Sequence, residues 1–172
     1  MTNDLFEIDK NDIRISSCST REQHDVEMIV SIFRCEDSDF LYLYDREHRF
    51  KWVEVDYTDC NGCTGTARMC TEYCDTDYFL NKCVVKKEYD RRVGRFYSGK
   101  IWRDDILPFP VYLRHRVNAS TNCDYETLDN FLNTSYLADG VTSIKRFLSD
   151  NERFINHEYA SITNGQSDFV DS

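Results

Sequence analysis

Cysteine constrains the fold of this 172-residue chain more than any other residue type, because eight cysteines are present and five of them fall between positions 60 and 83. Thiols at this density either form disulfides in an oxidising compartment or ligate a metal in a reducing one. The spacing of the cluster, Cys60-Asn-Gly-Cys63 followed by Cys70-Thr-Glu-Tyr-Cys74, therefore decides which fold classes to consider.

A zinc site accounts for this spacing. Glycine in a C-x-x-C turn lets the backbone fold tightly while both sulfurs point at one tetrahedral centre. If residues 67–78 are helical, the second pair of cysteines lies on one helix face. We therefore predict a structural zinc ion held by four thiolates. The six-residue gap between the two cysteine pairs is shorter than is usual for two zinc knuckles. Cys83, His48 or His115 could replace one of the four ligands. The predicted ligands are Cys60, Cys63, Cys70 and Cys74.

The compartment separates zinc from disulfides. The first ten residues have neither the basic region nor the apolar run of a secretory signal, which favours an intracellular, cytoplasmic or nuclear, protein. The disulfide alternative stays open, because Asn118-Ala-Ser and Asn133-Thr-Ser are glycosylation sequons that a secreted domain could use.

The composition indicates a folded chain. Hydrophobic residues make up 41% of it, and 24 aromatic residues with only two prolines argue against disorder. The polarity profile predicts a polar arm over 1–24, a single domain over 25–156 that includes a Cys-rich element at 58–83, and a flexible tail over 157–172.

The pattern of apolar residues predicts an α+β fold, with strands first and helices last. Segments rich in β-branched and aromatic residues predict an antiparallel β-meander in the N-terminal half, then a second strand pair and a short edge strand. The predicted strands are Val26–Cys35, Phe40–Tyr44, Arg49–Tyr57, Cys83–Tyr89, Val93–Tyr97 and Val111–Val117.

Two amphipathic helices are predicted near the C-terminus. After Asp124, a candidate N-cap, apolar residues recur every three or four positions from Tyr125 to Tyr136. Asp139-Gly140 interrupts the pattern, which resumes from Val141 to Leu148.

Charge is unevenly distributed. The net charge is −10, yet ten basic and only four acidic residues lie between positions 82 and 116. Arg91 and Arg92 begin a run in which cations alternate with rings, as on nucleic-acid-binding surfaces. A strand with a cationic outer face explains the same run without a ligand, so nucleic acid is the disfavoured partner.

The stretch from residue 102 to residue 112 is unusually apolar and contains two prolines. If this stretch is buried, it belongs to the core. If it protrudes, it has the apolar centre and polar rim of a protein-binding site. The predicted partner-binding residues are Trp102, Leu107, Phe109, Tyr112, Arg91 and Arg92.

Catalytic signatures are missing from the sequence. It contains no H-E-x-x-H, G-x-S-x-G, G-x-x-x-x-G-K-[ST] or G-x-G-x-x-G motif, and no apolar run long enough to cross a bilayer. We therefore expect a non-enzymatic intracellular adaptor or regulatory protein with a structural zinc element that acts by protein–protein interaction. The alternatives are a nucleic-acid-binding zinc module using the basic stretch 82–116 and a secreted, disulfide-stabilised binding domain.

Overall fold

A computed structural model describes residues 16–94 and 101–155. It has mixed α/β content, with a two-stranded antiparallel sheet and six α-helices in the described ranges. These residues divide into two compact units. The hairpin unit comprises residues 18–25, 30–94 and 101–102, and the helical unit comprises residues 16–17, 26–29 and 103–155.

The sheet of the hairpin unit is one β-hairpin. Helix α1 (Asp37–Arg46) precedes strands β1 (Phe50–Thr58) and β2 (Thr64–Glu72), which pair in continuous register from Phe50 opposite Glu72 to Thr58 opposite Thr64. The Phe40 ring of α1 packs edge-on against Trp52 of β1, with ring centroids 4.9 Å apart. This contact places Phe40 against β1, while most other residues of α1 are exposed.

Two short helical turns follow the hairpin, and each widens into a π-helical turn. Helix α2 (Asp75–Tyr78) continues into Phe79–Cys83, and helix α3 (Lys86–Tyr89) continues into Asp90–Gly94. Between them Val84 has φ +64°, which is uncommon for a β-branched residue. The core of the unit consists of Tyr78, Cys83 and Val93 from these turns together with Ile101.

The helical unit contains α4 (Pro110–Cys123), α5 (Tyr125–Thr134) and α6 (Ile144–Asp150). Pro110 occupies the first turn of α4, where its missing N–H costs no hydrogen bond. The Asp124 and Ser143 side chains cap α5 and α6 by accepting N–H groups of Thr127 and Arg146. The buried core is Leu113, Ile144 and Phe147.

Four of the predicted strands are wrong. Residues 40–44 lie within α1, residues 83–89 lie in the π-helical and α3 turns, and residues 111–117 lie within α4. Local propensity is a weak determinant of strand formation unless a neighbouring strand supplies hydrogen bonds, and in the described residues only β1 and β2 pair as strands. The meander is therefore reduced to one hairpin, which contains most of the predicted strand Arg49–Tyr57.

The fourth incorrect strand, Val26–Cys35, forms neither a helix nor a paired strand. The Asn130 carboxamide binds its first part, accepting the Ile29 N–H at 2.8 Å and donating to the Glu27 carbonyl at 2.9 Å. The Asn130 side chain thus supplies the two backbone hydrogen bonds here that a neighbouring strand would otherwise make.

Several predictions involve residues outside the described ranges. They are the strand Val93–Tyr97 beyond residue 94, most of the polar arm 1–24 and the tail 157–172. The domain boundaries stay predictions. Within the arm, the Thr20 carbonyl accepts hydrogen bonds from the Thr71 hydroxyl and the Glu72 N–H, so this residue lies against β2.

Candidate functional site

The four predicted zinc ligands occupy three different places. Cys60 and Cys63 lie in the turn of the hairpin, Cys70 lies near the end of β2 opposite Trp52, and Cys74 is the N-cap of α2. Residues 67–72, expected to be helical, belong to a strand. A strand rises about 3.3 Å per residue, so the six residues of β2 that lie between Cys63 and Cys70 hold the two cysteines about 20 Å apart.

The sulfur ligands of one zinc ion lie closer together than this separation, and the four-thiolate zinc site stays a prediction. Zinc–sulfur bonds of about 2.3 Å require the ligand sulfurs to lie within about 4.6 Å of one another. Among the described residues, which include all eight cysteines, no group of three or more His, Cys, Asp or Glu side chains is arranged to hold a metal ion. The structure brings Cys60 close to Cys63 in sequence and space, but it does not bring the two pairs together.

The second cysteine pair has local contacts of its own. The Cys74 sulfur accepts the Asp77 N–H at 3.4 Å and caps α2. Partial burial raises the pKa of the Cys70 thiol to about 11, which disfavours its thiolate. Cys83, a possible substitute ligand, lies in the core, where burial raises the pKa of its thiol.

A hydrogen-bonded cluster surrounds Tyr78, which is 0% exposed. Its hydroxyl lies 2.9 Å from Nδ1 of His48 and also contacts Cys83 and Arg92. Burial raises the pKa of Tyr78 to about 12, and burial together with nearby Arg92 lowers the pKa of His48. The phenol, thiol and imidazole are thus kept in their uncharged forms, which suits a satisfied polar core.

Part of the basic stretch, residues 86–92, is paired with its own acidic residues. Glu88 pairs with Arg91 at 2.5 Å and with Arg92, and these hydrogen bonds lower the pKa of Glu88 to about 2. Lys86 pairs with Asp90 at 2.7 Å. Arg91 and Arg92, predicted to bind a partner, thus form ion pairs within a helical turn, which favours the interpretation of the stretch as internally balanced.

The predicted anchor residues are not equivalent. Trp102 packs on Phe50 with ring centroids 5.3 Å apart and donates its indole N–H to the Tyr73 carbonyl at 2.8 Å. Leu107 packs against the core of the helical unit, and the Tyr112 ring lies 5.1 Å beneath the Arg116 guanidinium. Phe109, 42% exposed before α4, is the most accessible of the four.

A second set of accessible apolar side chains lies in the incorrectly predicted strand Val26–Cys35. We call its second part, residues 30–35, the exposed segment. Phe33 is 73% exposed, Val30 is 50% exposed and Ile32 is 49% exposed. In the described part of the chain, the backbone N–H and C=O groups of these six residues form no hydrogen bond.

Sequence reasoning missed the exposed segment because it interpreted an apolar run as a buried strand. One signal was present: apolar residues occupy both odd and even positions, so the run lacks the alternation of a strand with one buried face. The helical unit carries a further concavity, a shallow groove of about 350 Å³ along α5 that is lined by Ile29, Tyr125, Asn130 and neighbouring polar residues.

None of the helices in the described ranges combines the length and the apolar character needed to cross a bilayer. Comparison of the chain with protein-family models, with curated proteins and with solved structures gave no match.

Proposed function

We propose that this chain is a non-enzymatic adaptor or regulatory protein that acts by binding another protein, and that it does so through the exposed segment. The observation that supports the proposal is the coincidence of accessible apolar side chains, Val30, Ile32 and Phe33, with a backbone that is unpaired among the described residues. Exposed apolar groups of this kind mark interaction surfaces.

The chemistry of this segment favours an extended, apolar peptide as the partner. Such a peptide can pair with the free N–H and C=O groups as a strand, while its side chains cover Val30, Ile32 and Phe33. Backbone pairing supplies affinity and the side chains supply selectivity. Phe109 belongs to the other unit and is retained as a separate candidate anchor.

Selection of short displayed peptides against the full chain tests this proposal. We expect enrichment of peptides with apolar residues at alternate positions, and binding that Ile32→Lys weakens at least about tenfold. Leu41→Lys is the control, because Leu41 is an apolar residue on α1 of the same unit and is 66% exposed, more than Ile32. Circular dichroism verifies that both variants fold.

Amide hydrogen exchange distinguishes strand pairing from simple apolar contact. Bound peptide should slow the exchange of amides within residues 30–35, because the new strand accepts their hydrogen bonds. Enriched peptides whose affinity is unchanged by Ile32→Lys, or that leave these amides unprotected, would show that the exposed segment is not the binding site.

A further inference from the structure

The hairpin turn carries two cysteines on a well-defined backbone. The Asp59 carboxylate accepts the N–H groups of Asn61 at 2.9 Å and Cys63 at 2.8 Å. The Asp59 N–H donates to the Cys63 carbonyl at 2.8 Å, and the Asp59 carbonyl accepts the Gly62 N–H at 2.9 Å. Gly62 has φ +79°, a conformation that favours glycine, so this turn is fixed by local hydrogen bonds.

Both thiols of this turn are accessible. Cys60 and Cys63 are exposed, as are all residues from 58 to 64. Neither thiol has a hydrogen-bond partner within the described ranges, in contrast to Cys74, whose sulfur caps α2. The turn at the end of the hairpin therefore carries two exposed thiols, three positions apart, that make no hydrogen bond in the described ranges.

Two thiolates are half of what a structural zinc ion requires. Zinc in structural sites is four-coordinate, and the other cysteines of the cluster lie about 20 Å away along β2 or are held in local contacts. The two missing ligands must therefore come from outside the turn. A second copy of the same chain supplies the same two thiols, and the exposed tip leaves room for it.

We propose that two copies of this chain share one zinc ion through their hairpin turns, with Cys60 and Cys63 of each copy as the four ligands. The metal lies on the two-fold axis that relates the copies, so the interface uses the same residues on both sides. Ligation converts four thiols into four thiolates and releases four protons for each Zn²⁺ bound. The proposal goes beyond the peptide-binding function, because it uses a different surface, and it places the protein in a reducing compartment such as the cytoplasm or nucleus.

Zinc titration of the reduced, metal-free full chain, with mass measured by light scattering, tests this arrangement. We expect saturation at one zinc for two chains, a doubling of the mass, and reversal by a chelator. Cys60→Ser and Cys63→Ser should each abolish the mass change. Cys35→Ser and Cys123→Ser, at exposed cysteines outside the cluster, are matched controls that should leave it intact.

Other outcomes would overturn the proposal. Binding of one zinc to each monomer, lost in Cys74→Ser, would place the metal within one chain, and the absence of zinc binding by folded protein would remove the site altogether. Ile32→Lys should retain zinc-dependent dimerisation, so that failure of the peptide-binding proposal and failure of this one are distinguishable.

Discussion

The two cores of the molecule are built from different kinds of side chain. In the helical unit, Leu113, Ile144 and Phe147 are apolar and require only close packing. In the hairpin unit, the largest fully buried side chain is Tyr78, and its hydroxyl lies at hydrogen-bonding distance from His48. The comparison teaches that one core tolerates conservative apolar changes, whereas the other depends on particular polar partners.

The largest expected effect tests the apolar core. Phe147→Ala removes a ring that packs edge-on against Phe154 at 4.8 Å, and it leaves a cavity beside Leu113 and Ile144. We expect a loss of about 3–5 kcal/mol in the free energy of unfolding, measured by urea denaturation. Val141→Ala, at an exposed residue of the same unit, should change it by less than about 0.5 kcal/mol. A loss for Phe147→Ala no larger than that of the control would contradict the assignment of this core.

A smaller change tests the polar core. Tyr78→Phe keeps the ring but removes the hydroxyl, so the His48 ring nitrogen loses a hydrogen-bond partner. We expect a loss of about 1–2 kcal/mol in the free energy of unfolding, because a buried polar group left unsatisfied is costly. The same truncation at exposed Tyr125 should be nearly neutral. If Tyr78→Phe is also neutral, the two cores do not differ in the way proposed.

Among the described residues, strained backbone at a β-branched residue belongs to the hairpin unit, where exposed Val84 has φ +64° and ψ −38°. Val84 is the central residue of a tight turn closed by the Val85 N–H and the Cys83 carbonyl at 2.7 Å, and this conformation lies outside the left-handed helical region. Glycine adopts positive φ without a Cβ penalty, so Val84→Gly should raise the free energy of unfolding by about 1 kcal/mol. Val85→Gly, at a neighbouring exposed valine with φ −123°, is the matched control and should give no gain. Equal effects in thermal denaturation would show that strain is not the cause.

The smallest expected effect is a dependence of stability on pH. The pKa of His48 is lowered in the folded state, chiefly by burial, so the unfolded chain binds its proton more readily. The contribution of neutral His48 is full above the unfolded pKa of about 6.5 and is lost as pH falls through the folded pKa. Urea midpoints measured between pH 7.5 and 5 should fall less steeply in His48→Gln. Equal slopes would assign the pH dependence to other groups.

The helical unit was the more predictable of the two from sequence, for a physical reason. A helix satisfies its backbone locally, so the spacing of Tyr125, Leu128 and Phe131 and the capping residue Asp124 contain most of the necessary information. The structure has helix α5 at Tyr125–Thr134. Strands need distant partners, and no local signal in Phe40–Tyr44 or Val111–Val117 reveals that a partner strand is missing among the described residues.

The candidate sites were less predictable than the fold. The C-x-x-C turn and its glycine were visible in the sequence, whereas the distance between Cys63 and Cys70 depends on whether the intervening residues form a strand or a helix. A helix rises about 1.5 Å per residue and a strand about 3.3 Å, so strand geometry from residue 64 places Cys70 farther from the turn than the predicted helix from residue 67 would. Exposure of Phe33 follows from the missing strand partner, and the only local signal for it was the absence of strand alternation over residues 26–35.

Protection of the Ile29 amide, which donates to the Asn130 carboxamide, reports when the helical unit assembles during folding. It joins residues 101 positions apart in the chain, so the hydrogen bond forms only after a long loop has closed. The amides of Met28 and Val30 on either side have no such acceptor within the described ranges. In a pulse-labelling experiment during refolding, the Ile29 amide should become protected from exchange while the amides of Met28 and Val30 stay exchangeable. The refolding time at which this protection appears would be the time of loop closure.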